Sequence, residues 1–346
     1  MRLFGPKATP LGPAPIEGAE LLLSDLDGVV YRGHLAIPGA VESLTRAAER
    51  TRVAYITNNA ARTDETVAGQ LRGFGLPVTA ADIVTSPQAA VALLAETIAP
   101  GSRVLVIGGD GLVDELGKAG FEVTRSADDN PAAVIQGFAP DVGWPQLAEA
   151  SYALAERADG SQLPWIATNT DWTMPTDRGL APGNGVLVSA VHTAVQRLPV
   201  FAGKPETPIY EAAFSRFGTR SALMLGDRLD TDTKGARAAG ISSLHVLTGV
   251  DRPKQLVAAS KDMQPDYIVE NLDGLHAPYP SAKQLKDGSM QVGTAKVRMD
   301  GHVAKVIDEG DSAINLLRAG CAAIWGSGLA IYGLKVPEIL YEDHWN

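Results

Sequence analysis

Short apolar runs alternate with segments of helical periodicity along most of the chain. The runs predict strands at 21–23, 53–56, 104–107, 134–135, 200–202 and 222–225. Helical patterns between and after them predict helices at 39–50, 64–73, 87–98, 146–158, 209–217 and 231–239. Strands that alternate with helices are typical of βαβ units, whose parallel sheet is buried on both faces. The pattern therefore predicts an α/β fold with a Rossmann-like parallel sheet.

Four of the predicted strands run directly into polar residues. The first is followed by Asp25 and Asp27, the second by the run 57–59, the fifth by Lys204 and the sixth by Asp227. In an open parallel sheet, ligands bind at the carboxyl ends of the strands. We therefore expect these four strand ends to converge on one crevice, which would be an active site.

Composition narrows the class of protein. The 346 residues carry 30 Lys and Arg against 40 Asp and Glu, a formal net charge of −10 that argues against nucleic-acid and anionic-membrane partners. The length favours two or three domains. Cys321 is the only cysteine, which excludes an intramolecular disulfide. No apolar run approaches the about 18 residues that span a bilayer, and the start lacks a signal-peptide pattern, so we expect a cytoplasmic protein.

The carboxylates suggest a metal. Two come from the loop after the first strand, and three more from the loop after the sixth, at Asp227, Asp230 and Asp232. Such a cluster cannot stay ionised without a cation. Oxygen ligands around a partly hydrated site suit Mg²⁺, for which Mn²⁺ or Co²⁺ could substitute.

The remaining polar residues suggest phosphate chemistry. Thr57 offers a hydroxyl, Asn58 and Asn59 offer amides, and Lys204 offers a compact positive charge for a phosphoryl oxygen. Asp25 can then act as a nucleophile that forms a phosphoaspartate. Asp27 can protonate the leaving oxygen and later activate water.

These motifs resemble a known family. DLDGVVY at 25–31, TNN at 57–59, GKP at 203–205 and GDRLDTD at 226–232 resemble the four ordered motifs of haloacid dehalogenase-type phosphatases. NTDWTMPTDRGLAPGNG at 169–185 is similar to the signature loop of the p-nitrophenyl phosphatase and pyridoxal phosphate phosphatase subgroup. The resemblance implies core segments 1–99 and 199–275 with an α/β cap inserted at 100–198.

The resemblance also implies residue roles. Asp25 would be the nucleophile and a magnesium ligand, Asp27 the acid/base that reaches the metal through its carbonyl, and Asp227 the third ligand. Asp232 would orient the metal shell, while the phosphoryl group would contact Thr57, Asn58 and Lys204. Pyridoxal phosphate phosphatases carry a histidine where Met174 stands here. We therefore expect Trp172 and Met174 to face a small polyol phosphate, glycerol 3-phosphate first.

Several alternatives stay open. The enzyme could act on pyridoxal phosphate or broadly on sugar and nucleoside monophosphates, could transfer the phosphoryl group to another acceptor, or could be a phosphate-binding regulatory module. Asp230 could be a surface residue, and Asn59 could only cap a helix. Trp172 and Met174 could be cap core. The run 108–111 could bind a dinucleotide, although a plain strand-to-helix turn fits its spacing better.

The tail from 276 to 346 lies outside the resemblance. It reads as a linker, a hairpin at 297–306, a helix over 312–324 capped by Asp311, and a strand at 329–334. Cys321 lies within this helix, and we expect it to be a buried core residue rather than a reactive thiol. So small an α+β extension, faintly similar to an acetyltransferase fragment, should dock on another domain. A homodimer through the cap stays open.

Overall fold

The computed structural model describes residues 8–156, 160–176 and 178–345. They form two compact units, one from the described parts of Met1–Val53 and Ser221–Asn346 and one from those of Ala54–Arg220. The sequence predicts a different division, with a core at 1–99 and 199–275 and a cap at 100–198. That division stays a prediction.

Helices occur where the apolar periodicity predicts them. Thr63 caps the second one, since its hydroxyl accepts a hydrogen bond from the Thr66 N–H at 3.2 Å. The predicted helix 231–239 begins as a π-helical turn over Leu229–Thr233, and residues 157–158 of the predicted helix 146–158 lie outside the described residues. The helices are α1 (Ala40–Ala48), α2 (Asp64–Gly73), α3 (Ser86–Ala95), α4 (Asp110–Lys118), α5 (Trp144–Leu154), α6 (Asn184–Val195), α7 (Pro208–Phe217), α8 (Lys234–Ala238), α9 (Pro253–Val257) and α10 (Ala313–Ser327).

All six of the strands predicted between 21 and 225 are present, together with others that lack a long apolar run. The strands are β1 (Leu21–Ser24), β2 (Tyr31–Arg32), β3 (Leu35–Ala36), β4 (Arg52–Thr57), β5 (Ile83–Thr85), β6 (Arg103–Ile107), β7 (Glu122–Thr124), β8 (Ala133–Gln136), β9 (Trp165–Ala167), β10 (Thr173–Thr176), β11 (Gly179–Pro182), β12 (Val200–Phe201), β13 (Ala222–Gly226), β14 (Ser242–Val246), β15 (Tyr267–Val269), β16 (Lys283–Gln284), β17 (Met290–Val292), β18 (Ala295–Asp300) and β19 (Val303–Asp308).

The first unit contains a parallel sheet in the order β15-β14-β13-β1. Leu21, Leu22 and Leu23 of β1 are completely buried, as expected for a strand covered on both faces. The register pairs Ser24 with Leu225, so β1 and β13 end side by side. This confirms the predicted parallel α/β sheet and the convergence of the two aspartate-bearing loops.

The second unit contains a separate parallel sheet in the order β12-β9-β8-β6-β7, and a parallel pair of β4 with β5. β12 therefore belongs to a different sheet from the two aspartate-bearing strands. Its partner is β9, through Val200 with Ile166 and Phe201 with Ala167. A two-residue strand carries no sequence signal for its partner, because pairing depends on where the chain between the strands runs.

The signature segment 169–185 is more ordered than expected. The resemblance implies a loop here, whereas β10 and β11 form an antiparallel hairpin in which Met174 is opposite Ala181. The hairpin base is closed by backbone hydrogen bonds from Gly183 N to Trp172 O and from Gly185 N to Asp171 O, both 2.9 Å. Glycine and proline signal a turn here, but they do not exclude short strands beside it.

The C-terminal extension is an antiparallel sheet, in the order β16-β17-β18-β19, covered by α10. The predicted hairpin is confirmed as β18 and β19. Two details were wrong. Ser312 rather than Asp311 caps α10, since its hydroxyl accepts from Asn315 N, while Asp311 accepts a hydrogen bond from the Thr294 hydroxyl. The segment predicted as a strand at 329–334 contains the 3₁₀ turn Ile331–Gly333 instead. Its backbone bonds to itself, since Gly333 N donates to the Ala330 carbonyl and Leu334 N to the Ile331 carbonyl, both at 3.0 Å.

The extension shares a hydrophobic core with the rest of the first unit. Leu317 and Cys321 of α10 belong to one buried cluster with Leu256 and Ile268. This confirms that the extension docks rather than forming a core of its own, and burial raises the pKa of the Cys321 thiol. Among the helices of the described ranges, none is long and apolar enough to cross a membrane.

Because that core is shared, a cavity in α10 should destabilise the whole first unit. We expect Leu317→Ala to lower the free energy of unfolding by about 2–5 kcal/mol, since Leu317 is 2% exposed. Tyr332→Ala is the control, with an expected change within about 0.5 kcal/mol, because Tyr332 is 94% exposed. Urea unfolding followed by circular dichroism measures both. A separate early transition of the extension alone would contradict a shared core.

Candidate active site

The first aspartate loop begins where β1 ends. The Asp25 N–H donates to the Leu225 carbonyl at 2.8 Å, which continues the strand pairing by one residue. The chain then turns, with Val30 N donating to the Leu26 carbonyl at 2.8 Å. As a result Asp25 is half-buried at the carboxyl end of β1, while Asp27 is exposed on the turn.

The second aspartate loop follows β13. Asp227 and Asp232 are each 1% exposed. Asp232 Oδ2 accepts hydrogen bonds from the backbone N–H groups of Asp227 at 3.2 Å and Arg228 at 3.1 Å. Asp232 therefore orients the Asp227 backbone. Asp230 instead is exposed and pairs with Arg228 at 2.9 Å, which favours the surface interpretation of Asp230.

A third segment, residues 247–252, surrounds Asp227, and we call it the brace loop. Val250 N donates to Asp227 Oδ2 at 2.7 Å, and Asp251 N donates to the Asp227 carbonyl at 3.1 Å. Buried His245 lies 2.9 Å from the Asp251 carbonyl through Nε2. Burial lowers the pKa of His245 to about 4, so the ring is neutral near pH 7. Sequence reasoning missed this loop, because its contacts come from backbone groups.

The acidic residues that the two loops bring together fit a cation. Asp25, Asp227 and Asp232 each place a carboxylate oxygen within 4.8 Å of the others. Carboxylate oxygens are the ligands of hard cations, and a site with few protein ligands suits Mg²⁺. A second acidic group, at Asp64, Asp114 and Glu115, has Lys118 as its cation, with Nζ 2.8 Å from the carboxylates of Asp114 and Glu115.

The second unit contains the two other predicted motifs, at 57–59 and 203–205, and hydrogen bonds connect them. The Asn58 amide spans the backbone of Lys204, accepting from Lys204 N at 2.8 Å and donating to Lys204 O at 2.9 Å. Lys204 is 3% exposed and Thr57 is 7% exposed. The Thr57 hydroxyl accepts from Asn59 N at 3.1 Å. These bonds confirm that the segments 57–59 and 203–205 converge.

Two residues that sequence reasoning did not single out hold Asn58. The Asn169 amide and the Ser86 hydroxyl both donate to the Asn58 carbonyl, each at 2.8 Å. Asn169 Oδ1 also accepts from the Asp171 N–H at 3.1 Å, so it links the signature segment to Asn58. Asn169 opens that segment and could have been found there, whereas Ser86 carries no sequence signal.

The open alternatives in this unit are partly decided. Asn59 Oδ1 accepts from Ala61 N at 3.0 Å, a local turn contact, while Thr63 is the actual helix cap. Trp172 is 63% exposed and so is not cap core, and Met174 is half-buried. The run 108–111 connects β6 to α4 and includes the first two residues of that helix, Asp110 and Gly111. A Cβ at Gly111 would lie within 3.0 Å of the Arg62 carbonyl, so close packing accounts for this glycine.

Comparisons with known proteins agree with these motifs. A haloacid dehalogenase-like hydrolase family model matches residues 22–122, and a second HAD-hydrolase-like model matches 201–275. The D-glycerol 3-phosphate phosphatase of Mycobacterium tuberculosis is 42% identical over 316 residues, 88% of this chain and 86% of that protein. The glycerol-3-phosphate phosphatase of Gallus gallus is 32% identical over 76% of this chain and 92% of that protein.

Solved structures match in the same way. The crystal structure of the M. tuberculosis glycerol phosphate phosphatase in complex with magnesium has a TM-score of 0.81, with 38% identity over 94% of this chain and 95% of that chain. The p-nitrophenyl phosphatase of Archaeoglobus fulgidus has a TM-score of 0.68 and 27% identity, over 74% of this chain and 98% of that chain.

The brace loop leaves no room for a side chain beside Asp227. A Cβ at Gly249 would lie closer than 3.0 Å to three atoms of the Asp227 side chain. We expect Gly249→Ala to displace this carboxylate and to weaken Mg²⁺ binding about 10-fold or more, as measured by isothermal titration calorimetry. Gly326→Ala is the control, because a Cβ there meets no atom within 4 Å. Wild-type Mg²⁺ affinity in Gly249→Ala would refute this role of the close packing.

Proposed function

Because the chain belongs to the haloacid dehalogenase-like hydrolase family, we propose that it is a magnesium-dependent phosphatase that hydrolyses glycerol 3-phosphate to glycerol and phosphate. The observation that carries the reaction is the cluster of Asp25, Asp227 and Asp232 carboxylates at the ends of adjacent parallel strands. The substrate is supported by the two relatives from M. tuberculosis and G. gallus, both glycerol 3-phosphate phosphatases.

Asp25 and Asp27 divide the covalent chemistry between them. Asp25 attacks phosphorus, and the bond from phosphorus to the glycerol oxygen breaks while the phosphoaspartate forms. Asp27 gives its proton to the departing glycerol oxygen, then takes one from the water that releases phosphate from Asp25. The half-buried position of Asp25 and the exposed position of Asp27 support this division.

The metal is held by three aspartates. Asp25 and Asp227 would contribute carboxylates and Asp27 its backbone carbonyl, while Asp232 orients the loop that carries Asp227. Bound Mg²⁺ supplies positive charge that offsets these carboxylates and polarises the phosphoryl group. The two backbone hydrogen bonds that Asp232 accepts support its role as an orienting residue.

Thr57, Asn58, Asn59 and Lys204 bind the phosphoryl group. A buried ammonium is stabilised by negative charge, and a phosphoryl group supplies it. The Asn58 amide keeps the Lys204 backbone in position through two hydrogen bonds. Asn169 and Ser86 in turn fix Asn58, so the pocket is organised before a ligand arrives.

Residues 100–198 act as the cap, and Trp172 and Met174 contact the leaving group. The separate five-stranded sheet supports a cap in this part of the chain. The exposed indole of Trp172, at the base of an ordered hairpin, supports a substrate-facing role. The chain forms a homodimer through the cap, where the exposed Trp144 and Tyr152 of α5 contribute apolar surface. Its location is cytoplasmic.

The nucleophile assignment has a direct test. Asp25→Asn keeps the side-chain volume but removes the attacking anion, so kcat should fall at least about 1000-fold, which corresponds to about 4 kcal/mol. Asp230→Asn, the same change on an exposed aspartate, should keep most of the activity. Phosphate release from glycerol 3-phosphate measures both, with no acceptor other than water present. A tenth of wild-type turnover in Asp25→Asn would rule out this nucleophile.

The substrate assignment is tested at the hairpin. Substitution of Trp172 or Met174 by Ala should change the kcat/KM ratio between glycerol 3-phosphate and pyridoxal phosphate about 10-fold, because leaving-group contacts provide about 1–3 kcal/mol of discrimination. Leu198→Ala, at a position that is also 63% exposed, is the control and should leave the ratio unchanged. A wild-type preference for pyridoxal phosphate would overturn the substrate but not the phosphatase.

A further inference from the structure

The C-terminal segment reaches back to the brace loop through one bidentate ion pair. The Asp343 carboxylate accepts from Arg252 Nε at 2.7 Å and from Arg252 Nη2 at 2.6 Å. The side chain of Arg252 is 16% exposed, and that of Asp343 is 24% exposed. The hydrogen bonds from Arg252 hold the pKa of Asp343 below its usual range. The pair is thus charged, partly desolvated and geometrically defined, unlike an exposed surface pair.

Arg252 also ties the two ends of the brace loop together. It is the last residue of the loop, and its Nη1 donates to the carbonyl of Leu247, the first residue. One guanidinium therefore contacts the C-terminal segment and closes the loop at the same time. A planar, forked donor can do both, whereas the single ammonium of a lysine cannot reproduce this geometry.

The C-terminal segment is itself anchored. Leu340 is 1% exposed and belongs to the core cluster that α10 shares with the first unit. Trp345 packs against this cluster, and its backbone N–H donates to Asp343 Oδ1 at 3.1 Å. Asp343 is therefore held between two anchored residues and is a fixed point for Arg252.

The brace loop acts on Asp227, as described above, through Val250 N and Asp251 N. The contacts run from Asp343 to Arg252, from Arg252 to the loop ends, and from the loop to Asp227. We propose that Asp343 is a positioning residue for the metal site: through Arg252 it fixes the brace loop that orients the Asp227 carboxylate. This inference rests on the proposed function, and it gives the extension 276–346 a part in metal binding.

The test compares Mg²⁺ binding in variants of the full chain. Asp343→Ala and Arg252→Lys should each weaken Mg²⁺ binding about 3- to 10-fold in isothermal titration calorimetry, less than the loss of a direct partner of a metal ligand. The Mg²⁺ concentration for half-maximal activity should rise by the same factor. The KM for glycerol 3-phosphate at saturating Mg²⁺ should stay near the wild-type value, because the substrate-binding residues are unchanged.

Glu342→Ala is the matched control. Glu342 is the neighbour of Asp343, its side chain is 58% exposed, and its carboxylate lies 3.8 Å from His344 Nε2. Its Mg²⁺ affinity should equal that of the wild type. The double variant Asp343→Ala/Arg252→Lys should lose no more affinity than the larger single loss, because both changes break one chain of contacts.

The outcomes separate the two proposals. Wild-type protein that binds no Mg²⁺ and releases no phosphate would refute the proposed function. The positioning role would be overturned if the wild type binds Mg²⁺ and releases phosphate while Asp343→Ala has the same Mg²⁺ affinity. This holds whatever the melting temperature of the variant. If Asp343→Ala fails to fold, Asp343→Asn and Arg252→Lys decide in the same way, since each keeps the side-chain bulk and loses part of the bidentate pair.

Discussion

The crowding of carboxylates at the ends of β1 and β13 is the constraint on which the rest of the first unit depends. At about 4 Å, two unit charges near a protein surface repel by about 4 kcal/mol, and three carboxylates place oxygens within 4.8 Å here. Backbone N–H groups around Asp227 and Asp232 offset part of this repulsion. The remainder calls for a cation, so the geometry favours a metal-dependent site.

This constraint also explains the contacts around Asp227. A carboxylate that is 1% exposed must be held in one orientation to share a cation with its neighbours. Asp232 holds its backbone from one side and the brace loop from the other. The brace loop contacts Asp227 through the backbone N–H groups of Val250 and Asp251. Its end at Arg252 pairs with Asp343 of the extension. The extension is thereby continuous with the metal site in both packing and polar contacts.

In the second unit, neutral polar groups hold the backbone around Asn58 and Lys204 in place. Asn58 uses its amide to fix the Lys204 backbone and its carbonyl to accept from Asn169 and Ser86. Each of these groups is buried, so each lost hydrogen bond would leave a costly unsatisfied partner. Such a network defines one arrangement of the pocket. It also links the signature segment to the motif that begins at Thr57.

The sequence by itself determined the α/β class, the six strands and the approximate positions of six helices. It also named Asp25, Asp27, Thr57, Lys204 and Asp227 as candidate site residues. These depend on local periodicity and on side-chain chemistry, which neighbouring residues along the chain express directly. It could not determine the sheet of β12, the hairpin at the signature segment, the cap at Ser312 or the brace loop. Those features depend on backbone groups and on residues far apart in the chain, whose meeting only the tertiary structure decides.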